Sequence, residues 1–172
     1  LPKFDLDIHI DPASGSVKVR EKVAWIHPGG APVNQLIFNA HANFVLPEKQ
    51  VGAMAKTLEI LRMNPADALG VKSSALSLRS LRLMHIQKAP QEANKFTDLP
   101  HHFAGSTTTD LVIDLPHPVA PGETVNLELE FTLRLDAKQG RWGQWKEVVY
   151  LMQWLPVPAY FHAVHGWQPT PF

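Results

Sequence analysis

The sequence predicts an all-β protein, an antiparallel β-sandwich of two packed sheets with a short helical insertion. Three observations predict it. Apolar and polar residues alternate in several short segments, with the period of two that a β-strand produces. Fifteen prolines and ten glycines separate these segments, which is typical of many short strands rather than of a helical bundle. At 172 residues the chain is long enough to bury one substantial core.

The beginning of the chain has the pattern of a hairpin followed by a third strand. Apolar and polar residues alternate over residues 4–10 and again over residues 17–25, where Glu21 breaks the apolar pattern. Between them, residues 11–15 include a proline with a preset φ and a glycine that tolerates positive φ. A Pro-Gly-Gly turn then leads into residues 36–40. We therefore expect three strands before residue 45.

A segment of about residues 45–70 interrupts the strand pattern. Its apolar residues recur at helical spacing, and Asn64 before Pro65 is a stop signal, because the residue before a proline disfavours the α region. We predict a short helix here, with its apolar stripe packed on the sandwich. The stripe comprises Val51, Met54, Leu58 and Leu61.

The rest of the chain supplies the remaining strands. The alternation slips around Ser80, which a β-bulge explains. Residues 90–106 are interpreted as a polar loop, and residues 139–143 as a second loop. Apolar and polar residues alternate without a break over residues 125–135, which fits an antiparallel sheet with one solvent-exposed face. The predicted strands of this part are residues 75–87, 111–115, 125–135 and 148–154.

Composition excludes several classes of function. Lys plus Arg and Asp plus Glu number 16 each, and these charges are scattered, so the chain has no electrostatic footprint for nucleic acid or an anionic membrane. Cysteine is absent, which rules out disulfides and thiolate metal sites. No apolar run reaches the roughly 20 residues that a membrane-spanning helix needs.

Both ends of the sequence indicate a domain cut from a longer polypeptide. The chain begins at Leu1 directly in a strand pattern, and it stops at Phe172 within an apolar, proline-rich run. Such a run needs a surface to pack on. We therefore expect a sandwich domain over residues 1–158 and the start of a linker toward a missing catalytic domain over residues 159–172.

Several short segments follow one another in a characteristic order. They are the strand that begins at Phe4 with its Asp-Pro turn, the Leu-Ile-Phe segment 36–38, the Pro-Gly-Glu turn 121–123 with its long strand, and the Gln-Trp-Leu-Pro segment 153–156. That order resembles the amino-terminal β-sandwich of M1-family zinc aminopeptidases, in a divergent bacterial-type branch. The resemblance covers most of the chain apart from the helical insertion. It implies a non-catalytic domain that covers the active site and helps to position the substrate's amino terminus.

The resemblance also implies a substrate-binding residue. In the family, a Gln-Phe-Glu-Pro type of segment follows the last strands, and its Gln or Glu binds the free α-amino group of the substrate. Gln153 falls on that position. The sequence departs from the family at two places, since Leu155 replaces the usual acidic residue and residues 166–169 replace a Phe-Pro-Cys-Trp-Asp-Glu-Pro type of sequence.

The family's chemistry needs a His-Glu-x-x-His helix, which binds zinc through two imidazoles and places a glutamate beside the bound water. That motif does not occur in this sequence. We therefore predict no catalytic residue, metal ligand or cofactor in this chain, and zinc in the missing catalytic domain. The expected partners are that domain and a peptide substrate, without nucleic acid or a membrane segment here. An extracytoplasmic or membrane-associated parent protein is favoured.

Two groups of side chains leave other functions open. A metal site is one possibility, suggested by His162 and His165, with His101 and His102 elsewhere. Their spacing supplies neither a third ligand nor the hydrogen-bond partners that orient ligating imidazoles, so roles in loops or interfaces are favoured. Four tryptophans in the last third would suit a stand-alone or appended module that binds carbohydrate or protein, although packing is the commoner role of an indole. These are Trp142, Trp145, Trp154 and Trp167.

Overall fold

The computed structural model describes residues 1–45, 48–62, 74–85, 94–137 and 142–170. Two antiparallel sheets pack on a shared apolar core, so the predicted all-β sandwich is confirmed. In chain order the strands are β1 (Lys3–Asp11), β2 (Ser16–Ile26), β3 (Val33–Asn39), β4 (Leu76–His85), β5 (Lys95–Asp98), β6 (His101–Ala104), β7 (Asp110–Val119), β8 (Thr124–Arg134), β9 (Trp142–Trp145), β10 (Val148–Leu151), β11 (Val157–Pro158), β12 (Tyr160–His162) and β13 (Gly166–Gln168).

The larger sheet has the strand order β1-β2-β8-β4-β5, and the smaller sheet has the order β11-β3-β7-β6. Two hairpins, β9-β10 and β12-β13, account for the remaining described strands. In the β2-β8 ladder Val17 lies opposite Leu133 and Val23 lies opposite Leu127, and all four side chains are buried. Because residues opposite each other share one face of a sheet, the period of two in both strands builds one wall of the core.

The predicted bulge in the fourth strand is confirmed. The register between β4 and β8 shifts between Leu78 and Ser80. An extra residue on one strand leaves two residues opposite one, so the alternation resumes out of phase beyond it. This shift keeps both Leu76 and Leu81 buried on the core side, although they are five positions apart and would lie on opposite faces of an unbroken strand.

The predicted helix is present as α1 (Glu48–Ile60). Its expected packing is wrong at two positions of the stripe, since Met54 is 44% exposed and Leu61 is 61% exposed. No described residue of α1 belongs to the core. The predicted stop at Asn64 and Pro65 lies outside the described residues.

Two predicted boundaries need correction. The segment 90–106 is not a polar loop throughout, because β5 and β6 lie within it. The last predicted strand, 148–154, ends earlier, at Leu151, and pairs with β9, which the sequence did not predict. All four residues of β5 are exposed, so this edge strand has no apolar face to produce an alternating signal.

Candidate functional site

Gln153, the substrate-binding residue that the sequence predicts, lies on the surface just after β10. Its side chain is exposed, and its backbone has a φ of 47°. This left-handed conformation is uncommon for residues other than glycine, and it costs on the order of 1 kcal/mol, which contacts of the surrounding structure must offset. A left-handed residue also ends the strand, which explains why β10 stops before residue 154.

The chain is anchored on both sides of Gln153. On one side, the indole Nε1 of Trp142 donates a hydrogen bond of 2.7 Å to the main-chain oxygen of Met152. On the other side, the Trp154 ring lies 6.3 Å from the ring of Phe131, a core residue. These two contacts hold the backbone in place while leaving the Gln153 side chain free to face a ligand.

The Gln153 amide carries one carbonyl acceptor and two N–H donors. It forms no hydrogen bond with the residues that the structure describes. Because the side chain is exposed, its carbonyl oxygen is accessible to solvent. An ammonium group, which has three donors and no acceptor, is a matching ligand because the contact would be charge-assisted.

The described part of the predicted linker, residues 159–170, packs on the sandwich. The Trp167 ring lies 5.3 Å from the ring of Trp25 and 5.0 Å from that of Phe161. Its Nε1 donates a hydrogen bond of 3.0 Å to the main-chain oxygen of Gln35. Close by, the Thr170 main-chain N–H donates to the side chain of Asn39. The chain has therefore not left the sandwich by residue 170, and its continuation into a further domain stays a prediction.

A glycine permits this close packing. Gly30 has a φ of 95°, and a β-carbon placed on it would lie 2.3 Å from the main-chain oxygen of Ala163. That distance is far inside van der Waals contact. The turn before β3 and the turn of the β12-β13 hairpin can thus approach only because residue 30 lacks a side chain.

Glu21 is a buried carboxyl group that the sequence marked only as a break in alternation. It is 0% exposed, and neither carboxylate oxygen has a hydrogen-bond partner in the described structure. Its neighbours across the ladders are Leu6 in β1 and Leu129 in β8. Burial raises the pKa of Glu21 to about 8, because an apolar environment disfavours the charged form.

The tryptophans do not form a shared binding platform. Trp142, Trp154 and Trp167 pack against the core, whereas Trp145 on β9 is 45% exposed. A sugar-binding surface usually needs aromatic faces open to the ligand. The packing roles of three indoles therefore give no support to the carbohydrate-binding alternative.

The histidines of the tail have a structural use. The rings of His162 and His165 stack with their centres 4.6 Å apart. Nδ1 of His162 accepts hydrogen bonds from the main-chain N–H groups of Val164 and His165, so that nitrogen holds the hairpin turn. Within the described ranges, no group of three or more His, Cys, Asp or Glu residues is arranged to bind a metal ion.

The chain matches no protein-family model and no curated protein. In the described part of the chain, α1 is too short and too polar to span a bilayer, and no other helix meets that requirement.

Proposed function

We propose that this chain is the amino-terminal, non-catalytic β-sandwich of an M1-like zinc metallopeptidase, an aminopeptidase. In this role the domain covers one side of the active site of a neighbouring catalytic domain. Gln153 presents its amide oxygen to the α-amino group of the peptide substrate. One observation carries the proposal. Gln153, the residue that the resemblance assigns to substrate binding, has an exposed side chain, and its backbone is left-handed and anchored on both sides.

The geometry suits positioning rather than chemistry. A neutral amide oxygen neither accepts a proton nor attacks a carbonyl at ordinary pH, but it aligns an ammonium group at low cost. Alignment accelerates a reaction because it removes the entropy of orientation from the chemical step. In this proposal the catalytic domain supplies zinc and its bound water, as the resemblance implies. The strained backbone is consistent with a functional position, because such strain concentrates at sites that bind ligands.

Replacing Gln153 with alanine in the full-length enzyme tests the proposed contact. We expect kcat/KM for peptides with a free amino terminus to fall roughly tenfold to a hundredfold, the effect of losing one hydrogen bond to a charged group. Gln153→Glu is the matched control. It keeps an acceptor oxygen and should retain most of the activity.

A second measurement separates the contact from general damage to the site. The inhibition constant of a dipeptide should be compared with that of its N-acetyl form, which has no ammonium group. Gln153→Ala should weaken binding of the free dipeptide and leave the acetylated one unchanged. Equal effects on both ligands would refute the assigned role. Absence of a His-Glu-x-x-His motif from the parent polypeptide would remove the peptidase proposal itself.

A further inference from the structure

The edge strand β1 carries a row of partly exposed apolar side chains. In the β1-β2 ladder, Ile8 lies opposite Val19 and Ile10 lies opposite Val17, so the row is on the core-facing side of the sheet. The smaller sheet has four strands against five, and the side chains of this row are only partly covered. The members and their exposed fractions are Phe4 at 41%, Leu6 at 37%, Ile8 at 41% and Ile10 at 44%.

The outer edge of β1 is open as well. No described strand pairs with it. A long edge strand with unpaired backbone groups and apolar side chains is a template for another strand, and proteins usually block such an edge or use it. The exposed apolar side chains and the open edge of β1 favour contact with another strand.

We propose that the occupant is a second copy of this chain, whose own β1 pairs antiparallel with this one. The two larger sheets then join into one continuous sheet. This contact is isologous, since each copy presents the same strand, and a two-fold axis closes it after two copies. The inference goes beyond the proposed peptidase role and does not depend on it.

Charge complementarity, together with pairing of all nine residues of β1, selects the register, which is centred on Asp7. On the outer face, Lys3 then lies opposite Asp11 of the second copy, and Asp5 lies opposite His9. On the core-facing side, Phe4 meets Ile10 and Leu6 meets Ile8 of the second copy. The two-fold axis repeats each of these pairs. Opposite charges placed directly across a ladder, as Lys3 and Asp11 would be, are favourable.

Neighbouring registers lose this complementarity. A register centred on Leu6 places Asp5 opposite Asp7, and one centred on Ile8 places Asp5 opposite Asp11, so each repeats a like-charge pair. A register centred between two adjacent residues would place apolar residues opposite polar ones, because residues opposite each other share a face of the sheet. The Asp7-centred register has one like pair, Asp7 with its own copy. Arg20 lies opposite Asp7 in the β1-β2 ladder and offsets that repulsion within each copy.

Disulfide trapping tests the register directly, since the chain contains no cysteine. In Asp7→Cys, the two introduced residues face each other with α-carbons about 5 Å apart, inside the range of a disulfide. In the control His9→Cys, on the same face of the strand, they lie about 14 Å apart. Mild oxidation of the whole chain should therefore give a covalent dimer for Asp7→Cys alone. Equal yields from both variants, or none from either, would overturn the proposed pairing.

Sedimentation equilibrium tests the assembly without a cross-link. The mass of the wild-type chain should rise with concentration from 19.2 kDa to twice that value and then stop. Ile8→Lys brings two ammonium groups into the apolar row and should raise the dissociation constant at least about tenfold. The matched control Val148→Lys, at a site that is 52% exposed on β10, should leave it unchanged.

A charge reversal completes the test. Lys3→Glu places a carboxylate opposite Asp11 of the second copy and should weaken the dimer. Strengthening would indicate the Leu6-centred register, in which residue 3 faces His9, and no change would indicate the Ile8-centred one, in which it faces Ala13. Either result would overturn the assigned register. A chain that stays monomeric at all concentrations, or that assembles without limit, would overturn the dimer.

Discussion

Glu21→Gln is expected to stabilise this protein at neutral and alkaline pH and to leave its stability unchanged in acid. Burial raises the pKa of Glu21 to about 8. At pH values between the ordinary pKa of a glutamate and about 8, the folded state therefore holds a proton that the unfolded chain has released. Stability is therefore lost as pH rises from the ordinary pKa of the group toward about 8. Glutamine mimics the protonated carboxyl and avoids this loss.

The expected difference between the variant and the wild type grows by about 1.4 kcal/mol per pH unit across this window. It levels off above about pH 8, at a difference on the order of 4 to 5 kcal/mol. Urea unfolding at a series of pH values measures it, and the subtraction cancels the titration of groups common to both proteins. Parallel stability curves for the two proteins would show that Glu21 titrates normally in the folded state.

Glu128→Gln is the matched control, with the opposite sign. Glu128 is also buried, at 4% exposure, but its carboxylate accepts a hydrogen bond from the Arg82 guanidinium. Glutamine keeps an acceptor oxygen at this position but removes the negative charge that faces the Arg82 guanidinium, so the hydrogen bond between two charged groups is replaced by a weaker one to a neutral acceptor. We expect a loss of about 1–3 kcal/mol at neutral pH. The contrast between the two variants tests whether partners, rather than burial alone, determine the cost.

The strands that build the core could be predicted because their signal is local. In β8 every second residue from Val125 to Leu133 is buried, so the sequence period reports the core face directly. The position of Glu21 was visible in the same way, as an acidic residue on an otherwise apolar face. Its complete burial was not, because that depends on Leu6 and Leu129 in other strands.

The missed features depend on contacts distant in sequence. β5 is an edge strand held by backbone pairing with β4, and its exposed side chains give no alternation. The docking of the tail depends on Trp167 meeting Trp25, a contact across most of the chain. The left-handed backbone of Gln153 has no signature in the sequence either, because glycine or asparagine is the residue expected in that conformation. The resemblance assigns Gln153 its substrate-binding role, whereas only the structure reveals the conformation of its backbone.

Trp167→Ala is expected to destabilise the sandwich by about 2–3 kcal/mol, less than a fully buried tryptophan would cost, because the indole is only half-buried. The variant loses the ring contacts with Trp25 and Phe161 and the hydrogen bond to Gln35. Loss of these contacts also frees the β12-β13 hairpin, so limited proteolysis should cleave it faster. Denaturant unfolding and the cleavage rate measure the two effects.

The control variant is Trp145→Ala, which removes the same side chain from β9, where it is 45% exposed. We expect it to cost less than about 1 kcal/mol, as substitutions of exposed residues usually do. The comparison also tests the assignment of the tail. If residues 159–170 were a linker that only touches the sandwich, the two variants would be equally mild. A larger cost for Trp167→Ala would instead make the hairpin part of the folding unit, and any boundary with a following domain would then lie beyond residue 170.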